Sequence, residues 1–435
     1  MVTSFTVTPS SPLEGTITVA GDKSISHRAI IFGALAAGET TVSHLLEGED
    51  VLCTIDILRS LGVTIEKKGK IWTIQGVAGV FTPPTKTLYC GNSGTTLRLM
   101  TGLLSGLPFE SSLTGDASLN SRPMGRVMKP LAEMGAEIRE VKEGEKRRII
   151  ISGKKLKGGK FQLPVASAQL KSALLLAGLS SGAPVTVVEP LKSRDHTERM
   201  LKAMGANIEV KGLMVTLKPE GKLKGLSIDV PGDISSAAFF LVAALINPNK
   251  KTKLTLKNIG INPTRTGILD ILEKMGGKIE VTNNRIVCGE PVADLTVSPS
   301  SLKGVAIPPE IIPRLVDEIP ILSVAAAFAE GKTVIRGAEE LRIKETDRIK
   351  AIATELPKFG IPVKELPDGL EISGVKNPAG AKGISYGDHR MAMSLAVLGT
   401  VATGQTTVTD TACIATSFPD FQAVFKEIGG HLKTL

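Results

Sequence analysis

The sequence predicts a mixed α/β protein of two lobes, in which α-helices are enclosed by short outer sheets. Three observations lead there. The same cassette recurs six times at intervals of roughly seventy residues: a polar loop opening an Ala/Leu-rich helix, a Gly, a strand, a second helix, and a hydrophobic-Gly-x-x-hydrophobic step. The opening helices are apolar nearly all round, which places them inside a bundle. A chain of 435 residues is too long for one ordinary core, and 42% hydrophobic content is ample for two.

The steps are Leu61-Gly62 to Ile65, Met134-Gly135 to Ile138, Met204-Gly205 to Ile208, Met275-Gly276 to Ile279, Phe359-Gly360 to Val363 and Ile428-Gly429 to Leu432. A Gly directly after an amphipathic helix is the expected left-handed C-terminal cap. After most steps, segments such as TIEKKGKIWTIQG, EIREVKEGEKRRIIISG and IEVTNNRIVCG alternate around a Gly-, Asn- or Lys-rich turn and predict hairpins. The helix openers are GDKSISHRAIIFGALAAG, GNSGTTLRLMTGLLSG, VASAQLKSALLLAGLSSG, GDISSAAFFLVAALI, VDEIPILSVAAAFAEG and GDHRMAMSLAVLGTVATG. Each polar start is where a buried helix emerges, and its free N–H groups and dipole favour anions there. The sixth unit stops after its Gly step, but FTVTPSSPLEGTITVAG resembles the strand, loop and strand that close unit one, so the N-terminus is expected to complete unit six. Three units per lobe then give residues 21–230 as one lobe and 1–20 with 231–435 as the other, with hinge crossings near 20 and 230.

The first twenty residues have no basic or apolar leader pattern, and no apolar run approaches the ~18 residues of a membrane span. A cytoplasmic protein with no membrane partner is expected. Cys53, Cys90, Cys288 and Cys413 show neither paired nor metal-like spacing, so disulfides and metal are not expected. The net charge of +9 by itself allows nucleic acid or anionic metabolites. Aromatics at 3% leave few stacking platforms, and the basic runs KEGEKRR and NPNKKTK read as solvated hairpin and loop faces. Small anions are therefore favoured over nucleic acid.

In GDKSISHRA, Lys23 and Ser24 lie at a helix start, and Arg28 follows four residues later on the same face. An ordinary capped helix is the alternative. A P-loop is excluded: five residues separate Gly15 from Gly21, and Asp22 stands between Gly21 and Lys23. GNSGTTLR offers Asn92, Gly94 and Thr95 in a tight loop, where Gly94 also reads as a turn glycine. DASLNSRPMGR sets Arg122 before Pro123, a residue suited to a first helical turn. LRIKETDRIKAI carries Arg342, Lys344, Glu345 and Arg348, with Lys344 and Arg348 one turn apart, and reads equally as a solvated, salt-bridged helix. GDHRMAMS sets His389 and Arg390 at the mouth of an apolar helix.

These openers carry a resemblance. With LNSRPMGR, ASAQLKSALLLAGL and TSFPDF they follow the order found in the 5-enolpyruvylshikimate-3-phosphate synthase family, the enolpyruvyl transferases of the shikimate pathway, over essentially the whole chain. The resemblance implies a two-lobed inside-out α/β barrel, with three βαβαββ units per lobe and buried parallel helices inside mixed sheets. It implies transfer of the enolpyruvyl group of phosphoenolpyruvate to the 5-hydroxyl of shikimate 3-phosphate, by addition and then elimination of phosphate. No metal or organic cofactor is implied, and a monomer is expected.

By motif match, Lys23, Ser24, Arg28, Ser167, Ala168, Gln169, Ser193, Arg194, Asp317 and Lys344 are expected at shikimate 3-phosphate. Lys23, Gly94, Arg122, Gln169, Arg348 and Arg390 are expected at phosphoenolpyruvate, supported by His389, Asn92 and Thr95. Arginine suits both anions because its planar fork donates two parallel hydrogen bonds. Asp317 and Glu345 match the catalytic carboxylates, Glu345 as proton donor to the methylene carbon and Asp317 as acceptor at the 5-hydroxyl, with Lys23 beside them in the chemistry. Asp317 is followed by Glu318, so choosing between those two rests on the resemblance alone. With contacts drawn from both lobes, closure on the sugar phosphate is expected.

Three positions depart from the better-known branch of the family: Ala168 replaces a second serine, Arg194 stands near a stacking aromatic, and Thr416 replaces a lysine. SRDHTE and TSFPDF resemble the branch noted for glyphosate tolerance, although Gly94 is retained where that branch carries alanine. Weaker inhibition by glyphosate than in lysine-bearing relatives is expected. UDP-N-acetylglucosamine enolpyruvyl transferases share the implied fold, but usually carry a reactive Cys on a loop, and Gly115 to Arg126 has none. An RNA-binding relative built from similar units would explain the charge and repeats, but not Asp317 and Glu345 set among cations.

Overall fold

The computed structural model describes residues 3–144 and 146–435, so Glu145 of the KEGEKRR run lies outside the described residues. The fold is mixed α/β. Among the described residues are six four-stranded sheets, each joining one short parallel strand to an antiparallel set. The chain divides into two compact units. One is Gly21–Val230 with Val287–Glu290; the other is Met1–Ala20, Pro231–Ile286 and Pro291–Leu435.

In the first unit the inner helices are Lys23–Leu35, Gly94–Ser105 and Ala168–Ser181. Each starts where a side-chain oxygen caps it: Asp22 accepts from the Ile25 amide at 2.8 Å, Ser93 from Thr96 at 3.1 Å, and Ser167 from Leu170 at 3.4 Å. The second and third of these helices pack very closely. A Cβ at Gly102 would lie 2.2 Å from the Ala173 carbonyl oxygen, so any side chain there would force the pair apart. Around the helices lie the expected hairpins Thr64–Lys68 with Ile71–Val77 and Glu137–Glu143 with Lys146–Ser152.

The second unit repeats the plan with Ile234–Leu245, Ile319–Ala327 and His389–Gly399, buried along their full lengths. Asp233 and Asp388 cap the first and third. The middle helix has no side-chain cap and is entered through a 3-10 turn, Val316–Glu318, with Pro320 in its first turn. Phe239, Phe240, Phe418, Phe421 and Phe425 pack edge-on or tilted in the core. Ser4–Thr8 pairs antiparallel with both Thr406–Thr409 and His431–Thr434, so the N-terminal strand does fill the sixth sheet. Glu14–Ile17 joins the fourth sheet, parallel to Lys253–Gly260.

Three sequence expectations need correction. IEVTNNRIVCG is not a hairpin: Lys278–Val287 is one strand, and the chain turns at Cys288 and Gly289. Asn283 takes a left-handed conformation inside that strand, with its Nδ2 donating to Asp294 Oδ2 at 2.8 Å, so a turn-forming residue there bends the strand without ending it. Lys344 and Arg348 do not share a helix. A 3-10 turn at Glu339–Ile343 ends before Lys344, and Asp347 caps a new helix, Arg348–Glu355. Arg147, expected on a solvated face, is buried and donates to the Arg122 and Leu119 carbonyls at 2.6 and 2.9 Å.

Candidate active site

In the Gly21–Val230 unit, two helix starts meet at an anion-shaped cluster. Asn92 Nδ2 donates to Asp116 at 2.7 Å, and Arg122 donates to Asn92 Oδ1. Arg98 donates to Gln169 Oε1, and Gln169 Nε2 donates to Thr95 Oγ1 at 2.9 Å. Gly94 lies among these groups. A Cβ there would stand 2.8 Å from Arg98 Nη1 and 3.4 Å from Arg122 Nη1, so a side chain at this position would shift the Arg98 guanidinium. Two cations beside a helix N-terminus make a site for an anion. Arg122 ends the short helix Ala117–Ser121 and Pro123 follows before the helix Gly125–Glu133, with Arg147 holding the Arg122 carbonyl from below.

A second cluster stands on the first and third inner helices. Lys23 Nζ meets Asp50 Oδ2 at 3.0 Å. Arg28 is buried; it donates to Thr197 Oγ1 and Ser172 Oγ at 2.7 Å each, and to the Ser24 carbonyl at 3.0 Å. Burial pulls its guanidinium down to about 10, with Glu198 and Asp22 opposing and Arg194 adding to the fall. Ser167 caps its helix and Ala168 opens it. Ser193 is buried and its hydroxyl donates to Glu189, whose other oxygen meets Lys171 Nζ at 2.8 Å. Lys171 also pairs with Glu198 at 2.7 Å. Below Lys23, His27 is fully buried: Nδ1 contacts Thr54 Oγ1 at 2.8 Å, and Nε2 has no hydrogen-bond partner among the described residues. Burial, then Lys23 and Arg28, hold it well below the usual histidine range, so it is neutral.

In the other unit the centre is Arg348, only 1% exposed. Its Nε donates to Asp388 Oδ2 at 2.7 Å, Nη2 to Glu345 Oε2 at 2.7 Å, and Nη1 to Asp317 Oδ1 at 3.3 Å. Burial would lower this guanidinium, but Asp388, Glu345 and Asp317 outweigh it and hold it raised. Lys344 Nζ stands 3.8 Å from the same Asp317 oxygen. Arg390 lies 3.7 Å from Glu318, and His389 Nδ1 lies 3.4 Å from Thr416 Oγ1. Geometry separates the neighbouring carboxylates. Asp317 faces Lys344 and Arg348 with part of its surface open, whereas Glu318 is buried and accepts from Ser235 near Arg265 and Arg390.

Sequence reasoning missed Asp50, Arg98, Arg147, Glu318 and Asp388 as partners. Of these only Asp50 lay outside the segments already singled out; the partners of Asp388 and Arg98 lie 40 and 71 positions away.

The family profile of EPSP synthase (3-phosphoshikimate 1-carboxyvinyltransferase) matches residues 7–425. The chain belongs to the EPSP synthase family. A 3-phosphoshikimate 1-carboxyvinyltransferase of Citrifermentans bemidjiense is 52% identical over 419 residues, covering 96% of this chain and 97% of the relative. The corresponding protein of a Thermoanaerobacter species is 49% identical over 413 residues, 95% and 97% of the two chains. The solved EPSP synthase of Acinetobacter baumannii superposes with a TM-score of 0.88 at 45% identity, covering 100% of both chains. As a member of the EPSP synthase family the chain is a transferase. Among the described residues no helix is long and apolar enough to cross a membrane. The Cys90 thiol is pushed up by burial, and Cys53 is pushed up to about 11 by burial and then by Asp50, so neither is a ready thiolate.

Proposed function

We infer that the protein transfers the enolpyruvyl group of phosphoenolpyruvate to the 5-hydroxyl of shikimate 3-phosphate, releasing inorganic phosphate, on the path to chorismate and the aromatic amino acids. The observation that carries this reading is Arg348 holding Asp317 and Glu345 together, matched in the other unit by the paired guanidinium groups at Gly94. Anion clamps bind both substrates, and two carboxylates serve the two proton movements the reaction needs.

In the addition, the 5-hydroxyl oxygen bonds to C2 of phosphoenolpyruvate while C3 gains a proton. In the elimination, the C2–O bond to phosphate breaks and C3 returns a proton. Asp317 takes the hydroxyl proton, and Glu345 delivers and recovers the C3 proton. Lys23, Ser24, Arg28, Ser167, Ala168, Gln169, Ser193, Arg194 and Lys344 serve shikimate 3-phosphate. Lys23, Gly94, Arg122, Gln169, Arg348 and Arg390 serve phosphoenolpyruvate, with Asn92, Thr95 and His389 in support. Arg98 joins this second group, since its guanidinium stands over Gly94 beside Arg122. Ser193 binds phosphate only by releasing Glu189, which holds its hydroxyl in this structure.

The inner helices buried within six small sheets support the finer fold reading, an inside-out barrel of βαβαββ units in each lobe. A cytoplasmic monomer, inhibited by glyphosate more weakly than lysine-bearing relatives, completes the reading. The test is phosphate release from phosphoenolpyruvate with shikimate 3-phosphate, and separately with UDP-N-acetylglucosamine. Release with the first pair alone is expected; release with the nucleotide sugar would move the protein to the sister activity, and none with either would overturn the reading.

A further inference from the structure

We propose that Glu355 and Tyr386, which belong to neither substrate clamp, are positioning residues that fix Arg348 and Arg390 relative to each other. The proposal rests on the function inferred above. Arg348 opens the helix Arg348–Glu355, and Arg390 follows the segment that links the strand Lys382–Ile384 to the helix His389–Gly399. Helix and segment are tied twice. At the helix start, Arg348 grips Asp388. At its end, roughly 10 Å away for eight residues, Glu355 accepts the Ile384 amide at 3.0 Å and the Tyr386 hydroxyl. A single tie at Arg348 would leave a pivot; the second removes the rotation.

The segment would not hold this course unaided. Tyr386 and Gly387 are both left-handed, at φ 57° and 68°, a conformation that a tyrosine adopts only at an energetic cost. Ser385 anchors the segment from the opposite side, donating its hydroxyl to the Asp410 carbonyl at 2.5 Å. Burial, then the bond to Glu355, push the Tyr386 phenol up to about 12, so it remains a donor throughout the neutral range. Glu355 itself is 0% exposed, an expensive place for a carboxylate whose partners are Lys358, Tyr386 and a backbone amide. An apolar side chain would fill that space at less cost, and would lose the hold on Ile384 and Tyr386.

Tyr386→Phe isolates the tie, because the ring stays and Lys358 still neutralises Glu355 at 2.7 Å. The measurement is steady-state phosphate release with each substrate varied in turn, alongside urea unfolding. Expected is a rise of about tenfold in KM for phosphoenolpyruvate, with kcat and KM for shikimate 3-phosphate within about twofold. Glu355→Gln should move the same constant in the same direction. Lys358→Ala should shift the urea midpoint and leave the substrate constants nearly unchanged, since the hydrogen bonds of Lys358 go to Glu355, which keeps its own hold on Ile384 and Tyr386; a merely structural Glu355 would make the three variants alike. Unchanged constants in Tyr386→Phe and Glu355→Gln, or an equal rise in both KM values, would overturn the proposal. Absence of activity in the unmodified protein would instead overturn the function itself.

Discussion

Replacing Asp388 measures how firmly the central arginine is held. The two oxygens of this fully buried carboxylate have separate tasks. Oδ1 accepts chiefly from the Arg390 and Met391 amides at 2.8 and 3.4 Å and so caps the helix, with a long bond of 3.4 Å from Arg348 Nη2, while Oδ2 takes Arg348 Nε at 2.7 Å. In Asp388→Asn the cap survives, but an amide N–H then faces the Nε–H of Arg348 in a dry site. A lost hydrogen bond to a charged group costs about 1.5–3 kcal/mol, and stranding one partner of a buried pair about 3–5 kcal/mol. Arg348 keeps Glu345 at 2.7 Å and Asp317 at 3.3 Å, so its charge is not stranded and a cost of about 2–3 kcal/mol is expected. Asp388→Ala also removes the cap, adding about 1 kcal/mol. Urea unfolding, read on the transition of the unit that carries Asp388, gives both values. A cost below about 0.5 kcal/mol for asparagine, the level of an exposed ion pair, or alanine no worse than asparagine, would refute this division of labour.

Glu345→Gln should lower turnover by about 10²–10⁴ with little change in substrate binding, and Asp317→Asn should also be severely impaired; full activity in Asp317→Asn would remove it as the base. His27 gives a pH signature. Its folded value lies below the ordinary 6.5, so under that pH the unfolded chain binds the extra proton and stability falls as pH drops. The contribution is about 1.4 kcal/mol per pH unit, and His27→Asn should flatten the change between pH 6.5 and 5; parallel urea midpoints for the two proteins would contradict it. Glyphosate titration should give inhibition weaker than submicromolar, tightened by Thr416→Lys, because Thr416 meets His389 at a position where the family resemblance implies a lysine; submicromolar inhibition of the unmodified protein would count against that.

The starts of the inner helices were legible because their caps are local. Asp22, Ser93, Ser167, Asp233 and Asp388 each stand directly before an apolar run, and each accepts an amide two or three residues on. The cations at those starts were legible as positions, but what holds them was not. Lys23 meets an aspartate 27 residues away, and Arg28 reaches hydroxyls 144 and 169 residues away, contacts that only the packing of separate helices creates. Asn283 failed for the opposite reason: a residue that favours left-handed turns was read as a turn, whereas Asp294 across the sheet holds it inside a continuous strand.

The same long-range pairing bears on how the arginine can act. With Asp388 on Nε, Arg348 has its two terminal nitrogens to offer; Nη1 holds Asp317, and Nη2 holds Glu345 with a longer bond to Asp388 Oδ1. A substrate carboxylate that takes the fork therefore competes with Asp317 and Glu345 for its terminal nitrogens. Under the function inferred here, the exchange that clamps phosphoenolpyruvate also frees the carboxylates that move the protons. Preorganised charge of this kind saves reorganisation at the moment of reaction. Its cost falls on binding, since the incoming anion competes with carboxylates already within hydrogen-bond distance. Glu345→Gln separates the two effects: a neutral amide yields the fork more readily, so phosphoenolpyruvate should bind at least as tightly while turnover collapses. Weaker binding in that variant would mean that Glu345 supports the clamp instead of competing for it.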